Sequence, residues 1–345
     1  MFWLLAQAHK HLPMAAKPRP DGVERIRSYL VWDNNRDMVV DEGANAADEF
    51  VIAVIDTGID YYTSDSQNVY HPDLKDNVAG GRGFMHYWWS CELIENDNYA
   101  DDREGLYRGH GTHVAGIITA VDNEIGVIGT APKAIVYSLK LHTRSYKELA
   151  AAINYAANTL RAEIITMSLG ETINHSDVKS ACDNAYANGA LLFAAASSWG
   201  ESFVRYPARY DSVVAVGAVY LNGTRWEKSN FGPELEFVAP GVDIYSTFLD
   251  EGYAEITGTS MACPHVAAVA ALIWSSKIDP AYDADGNGVW SNTEVRQKLR
   301  HLALDLGPPG RDDEYGYGLI NGWATCQRPL GAINNDHAVD GLDLS

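Results

Sequence analysis

The sequence predicts an α/β fold in which a mostly parallel central sheet carries helices on both faces. Short apolar runs alternate along the chain with longer stretches in which apolar residues recur at helical spacing. Strands that alternate with helices in this way form parallel sheets, because each crossover helix returns the chain to the same end of the sheet. With 345 residues, 46% of them hydrophobic, the chain is long enough to bury a large core.

The predicted elements begin at residue 51. Five apolar runs are predicted as strands: 51–56, 134–141, 163–170, 190–197 and 212–219. Three stretches are predicted as helices: 146–160, 175–189 and 260–276. The region 61–108 is rich in Asp, Asn and Gly, so we expect loops there.

The charge balance excludes some classes of partner. The chain has 26 Lys and Arg against 46 Asp and Glu, a net charge of −20. Nucleic acids and anionic membranes bind basic surfaces, so neither is expected as a partner. No apolar stretch has the length of a membrane span. The acidic surface is either simply solvated or holds divalent cations.

The four cysteines have no metal-binding spacing. They are Cys91, Cys182, Cys263 and Cys326. One or two disulfides and free buried thiols are both consistent with this pattern, so the cysteines do not fix the compartment.

Three segments supply the residue types of a nucleophilic serine site. The first strand ends in Asp56, at the sheet edge where α/β proteins bind ligands. The segment GHGTHVAGI (109–117) places His110 before a helix, and GTSMACPHVAAVAALI (258–273) places Ser260 at the start of another. Taken singly, these residues have ordinary interpretations as a turn cap, a structural histidine and a helix N-cap. Together they are a nucleophile, a base and a carboxylate that orients the base.

The motifs VIDTGID, GHGTHVAG and GTSMACPHVA resemble the signature segments of the subtilisin-like serine proteases, the subtilases. Further matching segments are HPDL (71–74), SLG (168–170), YPARYDSVVAVGAV (206–219), FVAPGVDI (237–244) and YGYGLING (315–322). The resemblance implies a subtilisin-like fold and a serine endopeptidase that cleaves protein or peptide substrates through an acyl-enzyme. Ser260 would be the nucleophile, His110 the general base and Asp56 its orienting carboxylate. His113 and His265 match positions outside the triad and are expected to be structural.

The resemblance also implies where a substrate lies. The residues expected to pair with the backbone of an extended substrate are Ser168, Leu169 and Gly170. The residues expected to form a wall of the pocket for the side chain before the cut bond are Ala195, Ala196 and Ser197. Arg205 would favour an acidic side chain there if it points inward, and would have no such effect if it is exposed. The segment 84–108 either shapes the substrate rim or binds calcium.

One position departs from the family pattern. Subtilases usually continue this strand with Ala-Gly-Asn, and the Asn side chain donates to the oxyanion, but here Ser198 stands at that place. The shorter Ser198 is then the weaker oxyanion donor beside the backbone N–H of Ser260. Losing such a donor costs roughly 10² to 10³ in rate, so we expect a slowed protease. The alternative is a catalytically weak subtilase fold that binds peptides or acts as a calcium-dependent interaction module.

The stretch DADGNGVWSNTE (283–294) fits a calcium-loop pattern at every fixed position. The predicted ligands of Ca²⁺ are the side chains of Asp283, Asp285, Asn287 and Glu294 and the carbonyl of Val289. Gly288 would provide the sharp turn. An Asp- and Gly-rich turn without an ion is the alternative.

A second calcium site is implied by the resemblance alone. VDNEIGV (121–127) matches a calcium loop that is common in subtilases. Its ligands would be the Asn123 side chain, the carbonyls of Val121, Ile125 and Val127, and the Asp73 carboxylate.

The peptidase domain is expected to span residues 21–323. Subtilases usually carry a propeptide, and residues 1–20 are expected to be an N-terminal arm or a propeptide remnant. Residues 324–345 form an acidic tail that is either disordered or the start of a dockerin-type calcium repeat. In this repeat Asn334, Asp336 and Asp343 match, whereas Ala332 and His337 do not. We expect a monomer, and we expect secretion from the family and the calcium loops, although the chain has no clear signal peptide.

Overall fold

The structure is a computed structural model that describes residues 21–33, 39–48, 50–64, 67–87, 92–96, 102 and 107–323. The described helices are α1 (Asp21–Arg25), α2 (Tyr29–Trp32), α3 (His110–Thr119), α4 (Tyr146–Tyr155), α5 (Ser176–Ala187), α6 (Thr259–Trp274) and α7 (Asn292–Leu302). The described strands are β1 (Val51–Asp56), β2 (Tyr61–Ser64), β3 (Gln67–Tyr70), β4 (Val78–Tyr87), β5 (Glu92–Asn96), β6 (Ile135–Leu141), β7 (Ile164–Met167), β8 (Leu191–Ala195), β9 (Val213–Val219), β10 (Leu235–Pro240), β11 (Ile244–Thr247) and β12 (Tyr253–Ile256).

Eight strands form the central sheet in the order β10-β9-β8-β7-β1-β6-β4-β5. Seven of them run parallel, and β5 pairs antiparallel with β4 at one edge. Every residue of β7, β8 and β9 is buried, as expected for strands covered on both faces. The predicted α/β fold with a mostly parallel sheet is confirmed.

The helices form two packed groups around the sheet. From β1 the chain passes through β4, β5 and α3 to β6 on one side of β1, and then through α4 to β7 on the other side. Helix α3 packs against α6, whereas α4 packs against α5, and helices of both groups contact strands of the central sheet. The direction of winding changes between β1 and β7, and ligands bind where such a change occurs.

The prediction of loops across residues 61–108 is wrong for part of that region. Strands β2 and β3 form a hairpin, and β4 extends the central sheet by pairing in parallel with β6. Strand β4 reads VAGGRGFMHY, and its glycines have weak strand propensity. Pairing with β6 overrides this local preference. Most of the segment 84–108 lies outside the described residues, so its expected role at the substrate rim or in calcium binding stays a prediction.

Both chain termini also lie outside the described residues, including the arm 1–20 and the dockerin-like tail. Of the cysteines, Cys182 and Cys263 are free, and burial raises the pKa of each thiol to about 12. Within the described part of the chain, no helix combines the length and the apolar character needed to cross a bilayer.

Candidate active site

Three elements bring the predicted triad to the carboxyl edge of the sheet. Asp56 is the last residue of β1, His110 is the first residue of α3, and Ser260 is the second residue of α6. All three are buried. Because β1 is central in the sheet and α3 packs against α6, segments distant in sequence converge on one edge.

His110 and Asp56 are joined by a short hydrogen bond. His110 Nδ1 lies 2.7 Å from Asp56 Oδ1, and the Thr57 N–H donates to the same oxygen at 2.7 Å. Since a carboxylate can only accept, Nδ1 carries a proton, and in the neutral ring Nε2 then holds the lone pair that a general base requires. The Gly111 N–H donates to the Thr57 hydroxyl at 2.8 Å, which ties the start of α3 to the end of β1. A Cβ at Gly111 would overlap the Gly58 carbonyl oxygen, so this approach needs a glycine.

A buried carboxyl group that the sequence analysis missed lies behind this pair. Asp102 Oδ2 accepts the Thr112 N–H at 2.9 Å and the Thr112 hydroxyl at 2.7 Å. It therefore caps α3, whose N-cap residue Gly109 has no side chain. Burial, with a smaller contribution from the nearby Asp56 charge, raises the pKa of Asp102 to about 7. Because Asp101 and Glu104 are also acidic and lie beside it, no signal in the sequence singles out Asp102.

The Ser260 hydroxyl donates to the backbone of the predicted substrate strand. Ser260 Oγ donates to the Ser168 carbonyl at 3.1 Å, and Ser168 Oγ donates back to the Ser260 carbonyl at 2.7 Å. The hydrogen bond of the Ser260 hydroxyl thus goes to Ser168 rather than to His110. In many enzymes the catalytic hydrogen bonds are long or poorly aligned when no substrate is bound, and they shorten only in the substrate complex. The reciprocal pair fixes Ser168 directly beside Ser260.

The segment after β8 faces the start of α6. The Thr259 N–H donates to Ser198 Oγ at 3.1 Å, and the two hydroxyl oxygens of Ser198 and Thr259 lie 3.2 Å apart. The Ser197 N–H donates to Thr259 Oγ1 at 3.2 Å. Ser197 has a φ of +87°, in the left-handed region that favours glycine, and glycine is the residue that the resemblance places there. Thr259, which the sequence analysis did not single out, therefore contacts both serines.

The predicted substrate strand and pocket wall lie together. A Cβ at Gly170 would overlap the Ser197 hydroxyl and would lie 3.6 Å from Arg205 Cβ. Ala195 and Ala196 are buried beside them. A cleft next to His110 is lined by Asp56, Thr57, His110, Leu141, Arg144, Ser168 and Leu169. 

Arg144 is a cation in this cleft that the sequence analysis missed. Its guanidinium lies over the Tyr107 ring, 4.1 Å from the centroid. Burial lowers the pKa of Arg144, and the nearby Asp56 charge opposes that shift. Its position in the loop after β6 gave no signal in the sequence, because only the fold brings this loop to His110.

Arg205, whose orientation the sequence left open, is paired with Glu201. Arg205 donates two hydrogen bonds to Glu201, from Nε at 2.8 Å and from Nη2 at 3.0 Å. Its guanidinium also lies over the Trp199 ring, 4.9 Å from the centroid. The hydrogen bond from Arg205 lowers the pKa of Glu201, so both groups are ionised and their charges cancel. Glu201 lies four residues before Arg205 in a segment that is not helical, so the spacing alone does not predict this pair. The observed turn brings the two side chains together.

The two other motif histidines are structural in their contacts. His113 Nε2 lies 2.9 Å from the Ile244 carbonyl and 3.0 Å from the Ala254 carbonyl, and His265 Nδ1 lies 2.8 Å from the Met261 carbonyl. Burial lowers the pKa of His113 to about 3 and that of His265 to about 4. Both rings are therefore neutral near pH 7.

The loop 283–294 gathers three carboxylates. Ligand oxygens of Asp283, Asp285 and Glu294 lie within 4.8 Å of one another. Asp283 Oδ1 is buried without a hydrogen-bond partner, while Oδ2 accepts the Gly288 N–H at 3.2 Å. Gly288 has a φ of +78°, as the turn in the calcium-loop pattern requires. An unpartnered buried oxygen among three carboxylates fits a hard divalent cation.

The rest of the loop is ordered by its own polar groups. The Asn287 N–H donates to Asp285 Oδ1 at 3.1 Å, and the Val289 N–H donates to Asn287 Oδ1 at 2.7 Å. Glu294 forms a capping box with Ser291 at the start of α7. Hydrogen bonds within the chain thus order the loop, and Asp283 Oδ1 is the carboxylate oxygen of the cluster that they leave without a donor.

The second predicted calcium loop is closed by hydrogen bonds within the chain. Asp73 Oδ1 accepts Asn123 Nδ2 at 2.9 Å, and Asp73 Oδ2 accepts the Val127 N–H at 2.8 Å and the Tyr253 hydroxyl at 3.3 Å. The Ile125 N–H donates to Asn123 Oδ1 at 2.9 Å. Protein donors thus occupy the side-chain oxygens of Asp73 and Asn123 that an ion would use, and a calcium site here stays a prediction.

The comparisons with known proteins agree with the sequence motifs. The subtilase family matches residues 47–318. The chain is 41% identical over 280 residues to a thermostable alkaline protease of Halalkalibacterium halodurans, covering 80% of this chain and 67% of that protein. It is 39% identical over 294 residues to subtilisin DY of Bacillus licheniformis, covering 83% and 92% of the two chains. It is 35% identical over 355 aligned positions to the minor extracellular protease Epr of Bacillus subtilis, covering 91% of this chain and 50% of Epr.

The family match covers most of the chain, and two of these relatives share most of their own length with it. The strand order, the converging motifs and the comparisons therefore lead to one conclusion: the chain belongs to the subtilase family and is a subtilisin-like serine endopeptidase.

Proposed function

We propose that this chain hydrolyses peptide bonds through an acyl-enzyme on Ser260, with His110 as general base and Asp56 as the carboxylate that orients it. The observation that carries the proposal is the 2.7 Å hydrogen bond from His110 Nδ1 to Asp56 Oδ1 at the edge where Ser260 begins α6. This bond leaves His110 Nε2 able to take a proton from the nucleophile.

The reaction proceeds in two halves. Ser260 Oγ attacks the peptide carbonyl while His110 Nε2 takes its proton, and Asp56 stabilises the imidazolium that forms. His110 then gives the proton to the leaving amine, and the acyl-enzyme remains. Water attacks the acyl-enzyme with His110 again as base, the ester bond to Ser260 Oγ breaks, and His110 returns the proton to Ser260 Oγ as the acid product leaves.

An extended substrate would pair with the backbone of Ser168, Leu169 and Gly170, in the manner of an added strand. The side chain before the cut bond would lie against Ala195, Ala196 and Ser197. Because Glu201 neutralises Arg205, this pocket has no preference for acidic side chains. Protein or peptide substrates are the proposed partners.

The oxyanion would be held by the Ser260 N–H at the N-terminus of α6 and by the Ser198 hydroxyl. Serine is shorter than asparagine, so we expect a slower enzyme than a relative that has asparagine here. The second candidate, a weakly catalytic fold that binds peptides, is favoured by Ser198 alone.

Hydrolysis of internally quenched peptides by purified variants tests the triad. We expect Ser260→Ala and His110→Ala each to lower kcat about 10⁴-fold or more, because members of a triad act as a unit. Ser276→Ala, outside the site, should keep the wild-type rate. Equal rates in the wild type and Ser260→Ala would contradict the proposal and leave the peptide-binding candidate.

We further propose that a calcium ion bound by Asp283, Asp285, Asn287, Val289 and Glu294 stabilises the fold. The support is the unpartnered Asp283 oxygen within the carboxylate cluster. An ion that binds only the folded chain stabilises it by about 2.7 kcal/mol at 100 times the dissociation constant.

Thermal unfolding with calcium or with a chelator tests this site. Calcium should raise the Tm of the wild type by roughly 5 °C and that of Asp283→Asn by much less. Glu255→Gln, which removes an exposed carboxylate elsewhere, should respond like the wild type. Titration calorimetry on Asp283→Asn would show whether the loop 121–127 binds a second ion. An unchanged calcium response in Asp283→Asn would contradict the site.

We also infer a monomeric peptidase domain at residues 21–323 that works outside the cell. The support for an extracellular location is the relative from Bacillus subtilis, which is named an extracellular protease. Analytical ultracentrifugation tests the monomer, and a dimer at micromolar concentration would contradict it.

A further inference from the structure

Two arginines border the predicted substrate strand, and they have different partners. Arg205 donates two hydrogen bonds to the Glu201 carboxylate, so the two charges cancel. The Arg144 guanidinium instead lies over the Tyr107 ring, 4.1 Å from the centroid. An aromatic ring holds a cation in place without removing its charge. Because arginine stays protonated in proteins, Arg144 brings a positive charge to the cleft beside His110.

The backbone of Arg144 is held by the buried carboxylate of Glu148. The N–H groups of Thr143 and Arg144 each donate to Glu148 Oε2 at 2.9 Å, and the Thr143 hydroxyl donates to Oε1 at 2.7 Å. The His86 N–H donates to the same Oε1 at 2.6 Å. Arg144 has a φ of +57°, in the left-handed region that favours glycine. These four hydrogen bonds therefore fix the turn in a conformation that arginine rarely adopts, as is common at binding sites.

The strand order indicates which substrate side chain this cleft would receive. The predicted substrate strand 168–170 follows β7, and the pocket wall 195–197 follows from β8 on one side of it. On the other side, Asp56 and Leu141 of the cleft end β1 and β6. Successive side chains of an extended peptide point in opposite directions. When the side chain before the cut bond enters the pocket, the side chain one residue earlier therefore points to the cleft and to Arg144.

The two carboxylates near Arg144 are more deeply buried than Arg144 itself. The Asp56 side chain is 4% exposed, and its Oδ1 is hydrogen-bonded to His110. Asp102 is fully buried, and its Oδ2 accepts two hydrogen bonds from Thr112. Arg144 is partly exposed. A substrate side chain that enters the cleft therefore meets the guanidinium before either carboxylate, which favours an acidic side chain over a basic one.

We propose that Arg144 is a specificity-determining residue that selects substrates with Asp or Glu at the second residue before the cut bond. The planar guanidinium offers paired N–H donors that match the two oxygens of a carboxylate. The Tyr107 ring and the Glu148 carboxylate hold Arg144 in place before a substrate arrives, so little further ordering is needed on binding. The inference rests on the proposed protease function and gives Arg144 no part in bond cleavage.

The experiment measures kcat/KM for three quenched peptides that differ only in Glu, Gln or Lys at the second residue before the cut bond. We expect the wild type to prefer Glu over Gln about tenfold at low ionic strength, and less at high ionic strength. Arg144→Gln should abolish this preference, and Arg144→Glu should prefer Lys over Gln. The control Arg161→Gln should keep the wild-type preference, because Arg161 has a similar φ of +53° but is exposed ahead of β7, at the other end of the sheet.

Because one enzyme sample cuts all three peptides, the ratio of rates does not depend on how much of a variant is folded. Fragment masses identify the cut bond. Equal rates on the Glu and Gln peptides in the wild type, or an unchanged preference in Arg144→Gln, would overturn the inference alone. A cut that moves so that Glu is no longer the second residue before it would do the same. A wild type that hydrolyses none of the peptides would instead overturn the proposed function, and this inference with it.

Discussion

The two sides of the active site differ in the chemical groups that form them. One side, here called the acid–base half, consists of Asp56, Thr57, Asp102 and His110. The other, here called the hydroxyl half, consists of Ser168, Ser197, Ser198, Thr259 and Ser260. In the acid–base half a carboxylate and an imidazole are already joined at 2.7 Å. In the hydroxyl half the contacts that join its residues are between neutral hydroxyl and backbone groups, at 2.7 to 3.2 Å.

This difference indicates where the site tolerates change. A charge in the acid–base half has no substitute, because the imidazolium that forms during the reaction needs its carboxylate. In the hydroxyl half, donors are several and weak, and the Ser260 N–H belongs to the backbone. On the proposed mechanism we therefore expect an enzyme with Ser198 to be active, whereas we expect a change at Asp56 to abolish most of the activity.

The largest expected effect tests the acid–base half. Asp56→Asn should lower kcat about 10⁴-fold, because an amide favours the wrong tautomer of His110. The control Asp48→Asn removes an exposed carboxylate that pairs with Lys133 and should leave kcat unchanged. Steady-state kinetics on a quenched peptide measures both. A fall in kcat of only about tenfold in Asp56→Asn would contradict the proposed difference between the two halves.

The second-largest expected effect tests the hydroxyl half. Ser198→Asn should raise kcat about tenfold with little change in KM, because the longer amide reaches the oxyanion more fully than a hydroxyl. Ser202→Asn introduces the same side chain at an exposed position nearby and should have no effect. An unchanged or lower kcat in Ser198→Asn would show that, in this site, an asparagine amide stabilises the oxyanion no better than the Ser198 hydroxyl does.

A smaller effect concerns the wall beside the hydroxyl half. Glu201→Gln removes the charge that neutralises Arg205, so peptides with an acidic residue before the cut bond should gain about threefold in kcat/KM over neutral ones. The double variant Glu201→Gln/Arg205→Gln should lose that gain. Equal specificity in all three proteins would show that Arg205 does not face the pocket even when it is unpaired.

The smallest effect is a pH dependence confined to the acid–base half. The pKa of Asp102 is about 7 in the fold against 3.8 for an ordinary aspartate. Between these values the unfolded chain loses the proton while the folded chain keeps it, so this group lowers the free energy of unfolding as the pH rises. Asp102→Asn removes that dependence.

Urea unfolding at pH 5 and pH 8 measures this effect. The free energy of unfolding of Asp102→Asn minus that of the wild type should be more positive at pH 8 than at pH 5, because the variant lacks the group that destabilises the wild-type fold at high pH. The same difference at both pH values would contradict the assigned pKa shift.

Much of this architecture could be predicted from the sequence. The five strands predicted from apolar runs all occur, because buried parallel strands need continuous apolar residues. Their predicted ends were too long at 163–170 and 190–197. The residues beyond Met167 and Ala195 leave the sheet and contact α6, and tertiary contacts of this kind have no periodic signal.

The candidate site was predictable as far as its motifs reach. The sequence placed Asp56, His110 and Ser260 at a sheet edge and two helix starts, because glycines and apolar runs mark those positions. It did not reveal Asp102, whose partner Thr112 lies in a separate motif, or the pairing of Arg205 with Glu201. Such contacts depend on how turns fold, and a turn of polar residues does not specify its hydrogen bonds in advance.

The most direct test of the central claim is the intact mass of the calcium-loaded protein after incubation with a fluorophosphonate probe. This probe reacts only with a serine whose base and oxyanion donors are in place. We predict a single adduct on the wild type that is absent from Ser260→Ala, which would mean that the site is active with Ser198. A folded, calcium-loaded wild type without an adduct would contradict the account, and the chain would then be a subtilase fold without an activated serine.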